Sequence, residues 1–230
     1  MHRVGWIAPL VVGALLAGCS SDLSTLEAGS GGGSASPVEN YKEQRMRDAM
    51  RGLSYDRGMV SLTAEAGQIA QRGTLEEGAR LAAEAAKVFE TNDFPAAIAA
   101  YTKAVIVAPQ RAETYLGLGR ALLPKGRTVE AEAAFRTALG LNPKSLETKI
   151  EIARLVDSRG ESEATIAAWK NVLSQDPKVA EAHSRLAVAT YYKGDAAGAW
   201  RHISACERLG GSVPAQFKDL VRSESGATTP

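Results

Sequence analysis

The sequence predicts an all-α protein made of a repeated helical unit. Aromatic side chains make up only 6% of the 230 residues and alanine is abundant, a balance that favours closely packed helices over a β-sandwich. Bulky apolar residues also recur every 34 residues, at Tyr101, Phe135, Trp169 and Ile203. Self-similarity at one fixed period indicates successive copies of the same supersecondary unit.

The charge balance excludes recognition by a global electrostatic field. Lysine and arginine number 27 against 26 acidic residues, which leaves a net charge of +1. Such a chain has no overall attraction for nucleic acid or for an anionic membrane surface. We therefore expect no nucleic-acid partner, and binding has to come from local chemistry.

The first nineteen residues have the pattern of a targeting signal. Arg3 precedes an apolar run from Val4 to Leu16, which is too short for the roughly 20 residues that a membrane-spanning helix needs. Residues 1–18 are therefore predicted to be a signal peptide. The run closes on Leu16-Ala17-Gly18-Cys19, which resembles the bacterial lipobox.

The lipobox resemblance implies that Cys19 is acylated and becomes the first residue of the mature protein. Several acyl chains anchor a protein firmly without a protein span. Ser20 stands where an inner-membrane retention signal usually has aspartate, so the resemblance implies the outer membrane, facing the periplasm. The alternative is an ordinary signal peptide in which Cys19 is incidental. If Cys19 carries lipid, the other cysteine, Cys206, has no intramolecular partner, and we expect it to be buried.

The remainder divides by composition into four segments. Residues 19–39 form the lipidated N-terminus and a flexible linker, because Gly29 to Pro37 is rich in glycine and serine. Residues 40–73 lack a clean period and are predicted to be partly helical. A capping-box pattern at Thr74 and Glu77 opens an array at 74–222, and residues 223–230 are predicted to be a disordered tail.

Four further series share the 34-residue spacing and explain the unit physically. They are small residues at Ala85, Gly119, Ala153 and Ala187; small apolar residues at Ala104, Ala138, Val172 and Cys206; turn formers at Asn92, Gly126, Gly160 and Gly194; and Pro109, Pro143 and Pro177, with Gly211 in the fourth place. Small residues let two helices approach, and bulky ones fill the space beside them. Glycine ends a helix in a left-handed turn, and proline stops the second helix of each unit.

These series resemble the tetratricopeptide repeat (TPR) from about Gly78 to Gly211. The resemblance implies a superhelix of about four helix pairs, and the apolar spacing of Pro214 to Arg222 predicts a C-terminal capping helix. Glu84, Lys149 and His183 depart from the family pattern at usually apolar positions, and Thr165 replaces alanine. These departures concern packing rather than fold class.

No arrangement of residues in the sequence indicates catalysis. His183 and His202 are predicted to lie on different helices in surface or packing roles, and Cys206 takes a core position. The glycines at 31–33 lack the Lys-Ser/Thr of a phosphate-binding loop. We therefore expect no enzyme, no cofactor, no metal and no small-molecule substrate.

The TPR resemblance implies a partner-binding groove lined by the first helix of each pair. Its predicted residues are Phe89, Leu116, Arg120, Leu123, Ile150, Arg154, Asp157, Val188, Tyr191 and Tyr192. Apolar groups beside Arg120 and Arg154 suit a peptide with hydrophobic anchors and carboxylates. The alternative is that Leu116, Ile150 and Val188 only pack between repeats and that the arginines face solvent. Adjacent tyrosines on one helix point about 100° apart, so they cannot both enter one core.

The whole plan resembles the TPR lipoproteins of the tight adherence (Tad/Flp) pilus apparatus, the TadD-like family, and more broadly the TPR pilotins. That resemblance implies an assembly factor that helps an outer-membrane secretin reach the membrane or oligomerise, with envelope proteins as partners. Two alternatives stay open. One is a periplasmic scaffold that recruits peptidoglycan or divisome proteins, and the other is an enzyme within residues 40–72.

Overall fold

The structure, a computed structural model, describes residues 36–226. The predicted signal peptide, Cys19, most of the linker and residues 227–230 lie outside the described residues. Within 36–226 there are eleven α-helices and one short β-hairpin: α1 (Pro37–Ala49), β1 (Leu53–Ser54), β2 (Ser61–Leu62), α2 (Ala64–Ala70), α3 (Leu75–Glu90), α4 (Phe94–Val107), α5 (Ala112–Leu122), α6 (Thr128–Leu141), α7 (Leu146–Asp157), α8 (Ser162–Gln175), α9 (Ala180–Tyr192), α10 (Ala196–Arg208) and α11 (Ala215–Ser225). None of these helices is long and apolar enough to cross a bilayer.

The chain divides into two compact units, with the boundary between Gln44 and Arg45. The described part of the first unit is the beginning of α1. There the Glu39 N–H donates to the Ser36 hydroxyl and the Ser36 N–H donates to the Glu39 carboxylate, which is a capping box. Helix therefore begins at Pro37, before the predicted boundary at residue 40, because proline is pre-organised for the first helical position.

In the second unit, four helix pairs follow one another, and each helix from α3 to α11 packs against the next. The pairs are α3–α4, α5–α6, α7–α8 and α9–α10, and α11 closes the last pair. The predicted all-α architecture of about four helix pairs with a C-terminal helix is confirmed. Helix α11 continues through Ser225 and ends at left-handed Gly226, so residues 223–225, predicted to be tail, are helical.

The turn inside each pair has the predicted backbone conformation. Asn92, Gly126, Gly160 and Gly194 all have positive φ, from 61° to 88°. Asn92 is the only non-glycine residue with positive φ within 36–226, and asparagine tolerates this region better than most residues. One left-handed residue per pair reverses the chain between its two helices.

The bulky series forms the core between the helices. Tyr101, Phe135, Trp169 and Ile203 are all buried. A β-carbon added to Gly119 would overlap Cε1 of Phe135, so the absence of a side chain at that position makes room for the ring. The small residues at the equivalent positions of the other repeats are fully buried.

Residues 45–73, which we call the N-terminal strap, pack on the second helices of the first two repeats. Helix α2 contacts α4, and the turn between β1 and β2 contacts α6. Met46, Met50 and Val60 are buried in the core, and the Val60 N–H donates to Thr137 Oγ1 at 2.9 Å. The sequence predicted only partial helix here, because two-residue strands are too short to show a period of two.

Candidate protein-binding surface

The structure places the predicted groove residues, except Leu123, on the first helices of the repeats. Phe89 lies on α3, Leu116 and Arg120 on α5, Leu123 in the turn after α5, Ile150, Arg154 and Asp157 on α7, and Val188, Tyr191 and Tyr192 on α9. We call the side of α3, α5, α7 and α9 that carries them the first-helix surface.

Most of the apolar members of this set are used for packing. Leu116 is only 6% exposed and lies within the core. Phe89 and Leu123 pack against the same core, and Phe89 meets Phe94 edge-on with ring centroids 5.7 Å apart. Ile150 packs against the cluster that contains Trp169. Packing, the alternative considered above for Leu116 and Ile150, describes these two side chains, and Phe89 and Leu123 are packed as well.

The two arginines are neutralised by carboxylates of the same chain. Arg120 lies 2.8 Å from Glu147 and 2.7 Å from Glu151, both on the first helix of the next repeat. Glu151 is only 5% exposed, and it also pairs with Arg154 at 3.2 Å. Two guanidinium groups therefore share one buried carboxylate, which satisfies its charge.

The same arrangement continues into the fourth repeat. Arg154 makes a two-point contact with Glu181, with Nε to Oε1 at 2.9 Å and Nη2 to Oε2 at 2.6 Å. Arg185 on α9 reaches back to Asp157 at 3.2 Å. The ion pairs thus form a ladder across α5, α7 and α9, and we call this set the arginine ladder: Arg120, Glu147, Glu151, Arg154, Asp157, Glu181 and Arg185.

The ladder lowers the pKa of Glu181 and raises the pKa values of Arg120 and Arg154. The hydrogen bond from Arg154 lowers the pKa of Glu181, although burial opposes the change. The hydrogen bond to Glu181 in turn raises the pKa of Arg154. Burial disfavours the charged form of Arg120, but hydrogen bonds to Glu151 and Glu147 outweigh it and raise the pKa. These groups stay ionised and engaged with one another.

Of the acidic ladder members, Asp157 was in the predicted set, but the glutamates Glu147, Glu151 and Glu181 were not, although the sequence contains a signal for Glu147 and Glu181. Arg154 and Glu181 are separated by 27 residues. Arg120 and Glu147 have the same spacing in the preceding repeat. An arginine late in one first helix followed by a glutamate early in the next is the pattern that could have identified these pairs.

Exposed apolar side chains remain at the end of this surface. Tyr192 is 75% exposed and Val188 is 39% exposed. Tyr191 instead packs edge-on against Phe217 of α11, with ring centroids 5.4 Å apart, and its hydroxyl donates to Glu224. The two adjacent tyrosines therefore have different environments, as their angular separation on the helix requires.

A cavity of about 430 Å³ lies beside these exposed groups. It is lined by Asp157, Gly160, Ser162, Thr165, Val188, Ala189 and Tyr192, from the third and fourth repeats. An exposed aromatic group at the rim of a partly apolar cavity is the kind of feature that anchors a protein partner.

The structure brings together His183 and His202, a pairing that no spacing in the sequence predicts. Their Nδ1 atoms are 3.1 Å apart, and His183 Nε2 lies 3.1 Å from the Pro177 carbonyl oxygen. His183 Nε2 therefore donates to this carbonyl, and one Nδ1 donates to the other. Burial lowers the pKa of His202, and the adjacent His183 and Lys170 add to the effect.

No group of three or more histidine, cysteine, aspartate or glutamate side chains within residues 36–226 is arranged to hold a metal ion. Cys206 is buried, and burial raises the pKa of its thiol, which disfavours the nucleophilic thiolate.

Comparison with known proteins supports the repeat assignment. Residues 83–145 match the sequence profile of the tetratricopeptide repeat. The fold is a TPR superhelix. No curated protein sequence matches the chain.

Several solved structures share this TPR fold. A crystal structure of MamA superposes with a TM-score of 0.54 at 22% identity, over 58% of this chain and 78% of that chain. A crystal structure of MamA protein gives a TM-score of 0.50 at 16% identity, over 93% of both chains. The MamA RS-1 ArsTM double mutant gives 0.53 at 15% identity, over 75% of this chain and 89% of that chain. At these identities the likeness concerns the fold alone. Solenoids of helix pairs typically offer extended surfaces for binding other proteins.

Proposed function

We propose that this protein is a non-enzymatic TPR scaffold that binds a segment of another protein at its third and fourth repeats. The observation that carries the proposal is the exposed Tyr192, which stands with Val188 beside the cavity of about 430 Å³. Tyrosine is enriched among the side chains that dominate binding energy, because its ring buries a large area and its hydroxyl can still find a polar partner.

The arginine ladder supports this location. Ladder arginines would have to leave their own carboxylates in order to bind a partner's carboxylate, and breaking such pairs costs free energy. Apolar groups at Val188 and Tyr192 carry no such cost. The proposed partner is therefore a segment with an apolar or aromatic side chain that enters the cavity.

The finer proposal rests on the sequence resemblances. The mature chain is anchored by lipid on Cys19 to the outer membrane, faces the periplasm, and assists a secretin of the Tad/Flp pilus to reach the membrane or oligomerise. The predicted flexible linker after Cys19 supports this role, because it lets the repeats extend away from the lipid surface.

The partner proposal is tested with the full chain in its native membranes. We expect crosslinking and affinity purification to recover the secretin, and Tyr192→Ala to reduce recovery by roughly tenfold, as loss of a binding hot spot would. Val129→Ala is the matched control, since Val129 is also exposed but lies on α6. Equal recovery with both variants would contradict the proposed site. Recovery of cell-wall enzymes in place of the secretin would support the alternative scaffold role.

The anchoring proposal is tested by Cys19→Ala. We expect the parent to fractionate with outer membranes and the variant to lose this association, because the acyl acceptor is gone. A variant that still sediments with outer membranes would refute lipidation as the anchor.

A further inference from the structure

A second cavity, on the other side of the repeats, is lined by basic side chains. It has a volume of about 440 Å³ and lies between α8 and α10, near the turn that precedes α10. Its lining residues are Ile166, Lys170, Thr190, Lys193, Gly194, Asp195, Gly198, Arg201 and His202. We call it the basic groove. The repeat symmetry of the chain supplies two equivalent grooves with which it can be compared.

The first equivalent groove, two repeats earlier, is filled by the N-terminal strap. The positions equivalent to Ile166 and Lys170 are Ile98 and Thr102, and both are buried. Tyr55 of the strap packs on this core, where the charges of Glu130 and Arg127 lie close to its hydroxyl. The fold therefore already contains an example of a chain segment bound in a groove of this type.

The middle groove, one repeat earlier, is closed by its own ion pairs. Glu132 takes the place of Ile166, and it pairs with Arg136 at 2.6 Å and with Arg159. These two arginines occupy the positions equivalent to Lys170 and Lys193. The basic side chains of the middle groove are thus neutralised within the chain.

Among residues 36–226, no segment lines the basic groove as a cover, and the groove lacks this neutralising glutamate. Ile166 stands in place of that glutamate, and the side chain of Lys170 makes no ion pair or hydrogen bond within residues 36–226. The side chain of Arg201 likewise makes none within the described residues. Lys193 pairs with Glu163 at 2.9 Å. One oxygen of Asp195, the groove's own carboxylate, accepts the Gly198 N–H at 2.7 Å as a helix cap.

We propose that the basic groove binds an acidic segment of a partner protein, lying as the strap lies in the first groove. Carboxylates of that segment pair with Lys170 and Arg201, and an apolar or aromatic side chain packs on Ile166. Charge-assisted hydrogen bonds of arginine and lysine to carboxylates supply the recognition. This site goes beyond the proposed function, since it is separate from Val188 and Tyr192.

The test is binding of a fluorescent peptide, acetyl-Glu-Glu-Tyr-Glu-Glu-amide, to the full chain, measured by fluorescence anisotropy at low and high salt. We expect saturable binding that weakens with salt, and a Kd raised roughly tenfold by Lys170→Glu with Arg201→Glu. The neutral variant, Lys170→Gln with Arg201→Gln, should weaken binding less than the charge-reversed variant does. This order is expected if the loss of binding comes from charge and not from misfolding. Melting curves of both variants verify the fold.

The matched control is Lys125→Glu with Lys178→Glu, the same change of charge at exposed lysines outside the groove. We expect its Kd to stay within about twofold of the parent value. Equal loss of binding in the control would show a general charge effect and overturn the proposal. So would absence of peptide binding, or capture of phosphatidylglycerol vesicles through Lys170 and Arg201 without peptide binding. Tyr192→Ala should leave peptide binding intact, so this proposal and the proposed function can each be contradicted without the other.

Discussion

Trp169 and Tyr192 lie in the third and fourth repeats and differ in how much of the side chain meets water. Trp169 is 0% exposed, whereas Tyr192 is 75% exposed. Truncating a buried aromatic ring removes its transfer free energy and leaves a cavity, whereas an exposed ring loses little of either.

We expect Trp169→Ala to lower the free energy of unfolding by about 3 to 5 kcal/mol. Tyr192→Ala is the control, and its cost should stay within about 0.5 kcal/mol, as for other exposed positions. Urea unfolding followed by circular dichroism measures both. Similar costs for the two variants would contradict the placement of Trp169 in the core.

Glu181 and Glu113 occupy the same position two repeats apart, each in the first turn of a first helix. Only Glu181 has an arginine facing it, because the ladder begins at Arg120 and Ala86 stands at the equivalent position of the first repeat. The pair therefore separates the effect of the ion pair from the effect of an acidic residue near a helix N-terminus.

We expect Glu181→Gln to cost about 0.5 kcal/mol at neutral pH, the usual range for a partly exposed pair, and Glu113→Gln to cost less. Since the folded state lowers the pKa of Glu181, its contribution is present above the unfolded pKa and is lost as pH falls through the folded pKa. The difference between parent and Glu181→Gln should therefore disappear in acid. Unfolding measured across pH tests the sign, and a difference that grows in acid would contradict it.

At the scale of elements, the N-terminal strap depends on a close approach at Gly52. Its φ is +97°, and an added β-carbon would lie 2.7 Å from Cδ1 of Ile106 on α4. Gly67, inside α2 of the same strap, has open space around it. Substitution by alanine should therefore change the free energy of unfolding differently at the two glycines.

We expect Gly52→Ala to lower the free energy of unfolding by about 1 to 2 kcal/mol, because alanine is strained at positive φ and meets Ile106. Gly67→Ala should be neutral or stabilising by up to about 1 kcal/mol, because alanine favours helix. Thermal melts of the two variants test the contrast. A tolerated alanine at Gly52 would show that the strap does not pack closely on α4.

At the scale of the whole molecule, the core is divided unevenly along the second unit. The largest cluster joins the strap to the first two repeats and reaches Leu155 of α7. Separate, smaller clusters lie between the third and fourth repeats and between the last pair and α11. In a repeat array, stability is close to a sum of local terms and neighbour interfaces. The two ends should therefore open with different free energies.

We expect amide hydrogen exchange to be slowest in α4 and α6, which the strap covers, and faster in α8 and α10. Mass spectrometry of peptic peptides from the intact chain measures both regions in one sample. Destabilising the strap with Gly52→Ala should speed exchange in α4 and leave α10 unchanged. Uniform protection along the array would contradict the division of the core.

The sequence predicted the candidate surface only in part. Apart from Leu123, which lies in the turn after α5, the predicted groove residues lie on the first helices, because the 34-residue period assigns each position to one helix of a pair. The sequence did not distinguish Leu116, which packs, from Tyr192, which is exposed. That difference depends on which neighbouring side chains reach each position, and α11 covers Tyr191 rather than Tyr192.

The sequence alone determined the helical class, the number of pairs, the left-handed turns and the bulky core series. All of these follow from local conformational preference and from side chains that recur at the same position of each repeat. The 34-residue period is therefore enough to predict them. Only the tertiary structure decided the arginine ladder, the pairing of His183 with His202, and which groove the strap fills. Those features join residues from different helices, and their energies depend on distances and burial that no spacing along the chain specifies.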